Sequence, residues 1–233
     1  MPMTLVLAAG VGVRHGRGWA LRSASFRMNT SMTGAGGLGI VVSRRGPATA
    51  VIDLLSGHAR PGYGVLRVLG EDLTTAQGRA AIRGHVGIAR RTAGPRAAFR
   101  VRWLVEHAAR RAGIPESVRH PLAAAILDRL SLTPWAEVPV RSAPDVIGRR
   151  ARLAAATVHE PALLFIDGLL DDLAPRDAAA LAECVRDLAR EMAIIATGSD
   201  ASALALVCDE VLTLADGILI SEATTGQLVR PLS

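Results

Sequence analysis

Between Leu38 and Gly57 the sequence runs Leu-Gly-Ile-Val-Val-Ser-Arg-Arg-Gly-Pro-Ala-Thr-Ala-Val-Ile-Asp-Leu-Leu-Ser-Gly: a buried strand, a tight loop and an apolar helix in succession. This is the frame of a phosphate-binding loop, G-x-x-x-x-G-K-S/T. There, glycine-backbone N–H groups cradle phosphates, a lysine reaches the terminal oxygens and a hydroxyl holds Mg²⁺. Laid on that pattern, Val42 and Pro47 take the glycine places, Ala48 the lysine place and Thr49 the hydroxyl place, with Gly46 the remaining loop glycine. Valine resists the positive φ that glycine supplies, proline has no N–H to donate, and alanine carries no charge. Arg44 and Arg45 remain as candidate phosphate ligands, since guanidinium groups bind oxyanions in a fork; a pair of exposed loop arginines is the plainer alternative. All 27 positive side chains of the chain are arginine, and there is no lysine to serve the loop from elsewhere.

The 233 residues suffice for one α/β domain carrying a subdomain. Half the residues are hydrophobic and only 3% aromatic, so the core must be built from Ala, Val, Leu and Ile. A net charge of +6 would suit an anionic partner. The arginines are nonetheless scattered and interleaved with acids, which favours a solvated surface over a nucleic-acid interface. Cys184 and Cys208 lie in apolar stretches at no metal-ligand spacing and read as reduced core residues of a cytoplasmic protein. No apolar run reaches a membrane span, and the Thr4–Gly10 run reads as a strand rather than a signal segment.

The elements that must position the loop follow from periodicity. Leu5–Ala8 and Ala20–Met28 predict an antiparallel β start. Leu38–Val42, Gly64–Leu69 and Val86–Ala89 predict strands, and Ala48–Ser56 a helix closed by Gly57. Ala97–Ala112, Pro121–Leu132 and Val146–Val158 carry apolar residues at helical spacing, bounded by Gly or Pro. Strand Leu163–Asp167, helix Arg176–Met192, strand Ala193–Thr197, helix Ala201–Cys208 and a β-rich tail Glu210–Ser221 complete the order. Strands alternating with helices predict an α/β fold of the P-loop NTPase kind, with a mostly parallel sheet, the antiparallel start and an inserted helical subdomain. The expected division is a core of residues 1–91 and 159–233 with the helical subdomain at 92–158.

In that order the chain resembles the ATP-binding subunit of an ATP-binding-cassette (ABC) transporter, over the frame from Leu5 to Leu219. The fragments that carry the resemblance are Val13–Phe26, Asp53-Leu-Leu-Ser-Gly57, Gly64–Leu73, Val158–Asp167 and Val207–Gly217. The resemblance implies ATP and Mg²⁺ as cofactors, and it places His15 where the family stacks an aromatic on adenine. Thr49 and Asp167 fall where the family holds Mg²⁺. The glutamine loop falls on Arg90-Arg91, and the LSGGQ signature on Ala143-Pro-Asp-Val-Ile147, with Asp145 at a helix start. Gly168 occupies the place of the glutamate that polarises the attacking water, Ala174 that of a loop aspartate, and Ser199 that of the switch histidine. Asp171 and Asp172 are nearby acids that would serve as displaced bases or as solvated turn residues.

Phosphoryl transfer is chiefly positioning and charge stabilisation, and one such group typically contributes about 10²–10³ in rate. Loss of several together implies weak or absent nucleotide binding and no hydrolysis. The resemblance therefore implies an eroded subunit that pairs with a competent ATPase subunit, as a homo- or heterodimer, or docks on an integral-membrane permease at the inner face of the membrane. Two alternatives stand beside it. One is an ATP-binding protein or slow ATPase using Arg44 or Arg45 for the lysine. The other is a basic nucleic-acid-binding regulator exploiting Arg90, Arg91, Arg149, Arg150 and Arg152.

Overall fold

The computed structural model describes residues 3–16, 18–29, 36–43, 46–92, 94 and 98–221. Two sheets form its frame. Strands β1 (Thr4–His15) and β2 (Gly18–Asn29) pair antiparallel, with β4 (Tyr63–Val68) on the other side of β1 and the short β5 (Glu71–Asp72) at the edge. On β2 the alternating Leu21, Ala24, Phe26 and Met28 are buried, with an irregularity in register where Ser23 takes φ 55°. One face of this sheet is therefore apolar and lies on the core.

The second sheet has the order β10-β9-β3-β8-β7-β6. Its members are β3 (Gly37–Val42), β6 (Val86–Arg90), β7 (Leu163–Asp167), β8 (Ala193–Gly198), β9 (Glu210–Ala215) and β10 (Ile218–Ser221). β3 runs parallel to β8 and β9, and β7 parallel to β8 and β6; only β10 is antiparallel. All residues of β7 and β8 are buried, as expected of continuous apolar strands covered on both faces. Helix α1 (Ala48–Leu55) covers one face with Val51, Ile52, Leu54 and Leu55. α6 (Pro175–Ala189) and α7 (Ala201–Ala205) cover the other, where Leu181, Val185, Leu188 and Leu204 join Leu164, Ile166 and Ile194 in one cluster.

β3 has to pass close to the corner after α7. A side chain at Gly37 would come within 2.8 Å of the Val207 carbonyl and 2.9 Å of the Cys208 Cα, so only glycine fits. At that corner burial pushes the Cys208 thiol up to about 12 from its ordinary 9.0, and burial also raises the Cys184 thiol. In the unfolded chain Cys208 ionises near its ordinary value while the native thiol holds its proton. Native stability is therefore expected to fall as pH rises between 9.0 and about 12. At pH 8 the native protein is expected to react with iodoacetamide far more slowly than the urea-unfolded protein, as mass spectrometry of quenched samples would read.

The helices between β6 and β7 are α3 (Val101–Arg111), α4 (Glu116–Arg129) and α5 (Asp145–Thr157), with 3-10 turns at Thr133–Trp135 and Val140–Ser142. α3 packs on both α4 and α5, and α5 packs against β6. α4 begins at Glu116 after an extended Pro115, not at Pro121 as the sequence suggested; Pro121 lies inside the helix. The helix breaker that sets the start is the earlier proline. α3 begins at Val101, later than Ala97, which lies outside the described residues. Sequence reasoning missed α2 (Ala76–Ile82), a short helix whose N-cap Thr75 accepts the N–H of Gly78 at 3.0 Å. No helix among the described residues is long and apolar enough to cross a membrane.

Candidate functional site

The C-terminal ends of β3, β7 and β8 and the start of α1 converge, as in open α/β sheets whose ligands sit beyond the strand ends. α1 opens on Pro47, which caps the helix without a side-chain hydrogen bond and has no N–H. The Gly46 N–H donates back to the Ser43 carbonyl at 2.6 Å and is turned into the loop itself. Ala48 adds only a methyl. Arg44 and Arg45 lie outside the described residues.

Thr49 and Asp167 are brought together: the threonine hydroxyl donates to Asp167 Oδ2 at 2.8 Å. Asp167 is buried at the tip of β7, and its other oxygen accepts the Thr197 hydroxyl at 3.3 Å. Into this pair reaches Arg90, from the tip of β6. Its Nη1 lies 3.5 Å from Asp167 Oδ2 and its Nη2 donates to Asp53 Oδ1 on α1. Arg90 and Asp53 are each about two-thirds enclosed, so solvent screens the cluster only partly. The result is a chain Thr49–Asp167–Arg90–Asp53 in which a guanidinium is shared between two carboxylates. The sequence placed Arg90 at the glutamine-loop position but did not join it to Asp167, and Asp53 did not stand out as a site residue. The available signal was spacing: Asp53 follows Thr49 by four residues, on the same face of α1.

Gly168 has φ +63°, a left-handed backbone, and its N–H donates to the Thr197 carbonyl at 3.0 Å. A Cβ there would lie 3.2 Å from Asp171 Oδ2. The Asp171 carboxylate thus borders the space that a side chain at 168 would enter. Its Oδ1 accepts the Ser199 N–H at 2.8 Å and the Ser199 hydroxyl at 3.1 Å. Asp172 is paired at the surface with Arg91, whose Nη1 is 2.6 Å from Asp172 Oδ2.

The loop after β7 is held from below by Arg149 of α5, which is buried. Its Nη1 donates to the carbonyls of Leu169 at 2.8 Å and Asp171 at 2.5 Å, and its Nε and Nη2 reach Asp145 Oδ2. Asp145 is the first residue of α5 rather than its cap, which is Pro144. The hydrogen bond from Arg149 holds the Asp145 carboxyl below the usual carboxylate range. His15 ends β1, exposed and opposite Gly18. Beside it sequence reasoning overlooked an aromatic group: Arg14 lies 4.4 Å over the Trp19 ring, and Trp19 meets Tyr63 edge-on at 5.7 Å. No cluster of three or more His, Cys, Asp or Glu side chains able to hold a metal exists among the described residues.

No family model matches the chain. The methionine import ATP-binding proteins MetN 2 of Burkholderia mallei (strain ATCC 23344) and Burkholderia pseudomallei (strain K96243) are each 26% identical over 203 residues, 85% of this chain. The chain spans about half the length of these curated relatives, 51%. Among solved structures, CbiO1 from Clostridium perfringens, part of the ABC transporter complex CbiONQ, superposes with a TM-score of 0.79 at 17% identity. It covers 94% of this chain and 87% of its own. A nucleotide-free ATP-binding cassette from an ABC transporter gives a TM-score of 0.79 at 14% identity, over 94% and 90% of the two chains. With the strand order above, these likenesses show that the chain has the ABC ATPase fold and is homologous to the ATP-binding subunits of ABC transporters.

Proposed function

We propose that this chain acts as a non-hydrolysing ATP-binding-cassette subunit, a structural or regulatory partner of a competent ATPase subunit or of a membrane permease, peripheral at the inner face of the membrane. The observation that carries the reading is the guanidinium of Arg90 held between Asp167 and Asp53. Asp167 and Thr49, the two groups that would share a magnesium ion, are already bonded to each other, and the carboxylate already has a cation at its side.

The residues present do not fit a magnesium–nucleotide. A phosphate at the start of α1 would meet Pro47 without a donor, a Gly46 N–H turned to Ser43, and the methyl of Ala48. A carboxylate at position 168 is missing. The nearest carboxylate is Asp171, anchored through Oδ1 by both donors of Ser199 and presenting Oδ2 to the space beside Gly168.

The test is phosphate release from Mg-ATP by the purified chain. The expected rate equals that without protein and does not change in Asp167→Asn. Turnover that Asp167→Asn abolishes would overturn the reading. Titration calorimetry with millimolar Mg-ATP is expected to show no saturable heat. Co-purification from native membranes is expected to recover a permease or a second ATPase subunit.

A further inference from the structure

Beside the strand-end site, on the outer side of β6, lies a separate open cleft of about 610 Å³ between that edge strand and helices α3 and α5. Its floor is apolar, with Val86, Ile88, Leu104 and Ala155 among the lining residues. Its charged and titratable lining is of one sign: four arginines and three histidines, with no carboxylate among the described lining residues. Arg90 is already neutralised by Asp53 and Asp167. Among the described residues the side chains of Arg83, Arg111 and Arg152 have no ion pair or hydrogen bond, although seven ion pairs form there away from this cleft.

Arg152 is the informative member. It projects from α5 and is largely enclosed, and its Nε is buried with no hydrogen-bond partner. Burial pushes this guanidinium down to about 10, and the neighbouring Arg149 lowers it further against the opposing pull of Asp145. A buried polar N–H left without an acceptor costs about 1–3 kcal/mol, and buried charges are ordinarily paired. The cleft therefore holds cationic donors but lacks the acceptor that would complete them.

We infer that the cleft between β6, α3 and α5 is a binding site for a small multivalent oxyanion of the phosphate class, held by Arg83, Arg111 and Arg152. Three guanidinium groups suit more than one anionic oxygen group, and their forked donors match phosphate geometry. The volume falls in the usual range for small-ligand sites. A ligand combining an apolar portion with phosphate groups would use both floor and walls. This site is distinct from the phosphate loop, so the inference goes beyond the functional reading above and stands or falls apart from it.

The experiment is calorimetric titration of the full chain with sodium pyrophosphate, in EDTA at low, fixed ionic strength. We expect saturable one-site binding with Kd below about 1 mM. The double variant Arg83→Ser/Arg111→Ser replaces two exposed side chains and leaves the half-buried Arg152 in place. It is expected to weaken binding by at least about tenfold, or about 1.4 kcal/mol. The double variant Arg44→Ser/Arg45→Ser, which removes the loop arginines, is expected to bind as the unaltered chain does. Pyrophosphate is also expected to raise the Tm of the unaltered chain and not that of Arg83→Ser/Arg111→Ser. Absence of saturable binding overturns the inference, as does binding lost with Arg44 and Arg45 instead. A glutamate-rich peptide that binds where pyrophosphate does not would also overturn it, making the cleft a peptide-docking groove.

Discussion

Replacing Arg149 with methionine is expected to lower the free energy of unfolding by about 2–6 kcal/mol, the cost of leaving two enclosed carbonyls without their donor. The argument rests on what is left behind. Arg149 is 2% exposed, and its Nη1 is a donor to both the Leu169 and the Asp171 carbonyl. Methionine fills much of the volume and provides no donor, so both carbonyls lose that partner at about 1–3 kcal/mol each. Asp145 adds little, because its side chain is 63% exposed and water replaces the guanidinium. Arg149→Lys keeps a charge but not the fork, and is expected to fall between the two. Urea unfolding followed by circular dichroism reads the stability. Hydrogen exchange is expected to rise first at residues 168–172, the loop the arginine holds. An unchanged midpoint in Arg149→Met would refute this account.

Gly87→Ala is the second large expectation. A Cβ at Gly87 would stand 2.1 Å from the Ala156 carbonyl oxygen and 3.0 Å from Pro161 Cγ. The obstacle is backbone of α5, which cannot swing aside as a side chain would, so the helix must move off β6 or the strand must leave β7. A loss of at least about 3 kcal/mol is expected, above the ordinary cost of overpacking. Gly84→Ala is the control, since nothing lies within 4 Å of a Cβ there; its unfolding midpoint is expected to stay within about 0.5 kcal/mol of the parent. If both alanines behave alike, the close approach of β6 and α5 is not what holds the helices to the sheet.

These two residues show what the sequence disclosed and what it withheld. The strand Leu163–Asp167 was legible to the residue, because a short apolar run between Pro161 and Gly168 with its whole length buried has few other readings. The order of strands and crossover helices followed from the alternation of periods. α2 escaped because it is only seven residues long, from Ala76 to Ile82, and has a glycine inside it. The start of α4 was misplaced because two prolines compete for it and periodicity does not choose between them. At the site, residue type alone marked Thr49 and Asp167 and recorded what is absent at Ala48, Gly168 and Ser199. It did not reveal that Arg90 turns inward to Asp53 and Asp167, since that depends on the C-terminal end of β6 reaching the α1 side chain of Asp53, far away in the chain. Nor did it separate Arg149, a buried structural donor, from Arg152, which lines an open cleft; both belong to the same basic stretch of α5.

The chain of contacts from Thr49 to Asp53 also has a meaning in time. A carboxylate whose counter-ion is a dissociating metal changes its electrostatic character whenever the metal comes or goes. Asp167 has a counter-ion carried by the same chain, the Arg90 guanidinium 3.5 Å away. While Arg90 keeps this place, the charge beside Asp167 is supplied by the chain itself. Whatever rests against this face of the protein meets a guanidinium already shared between two carboxylates.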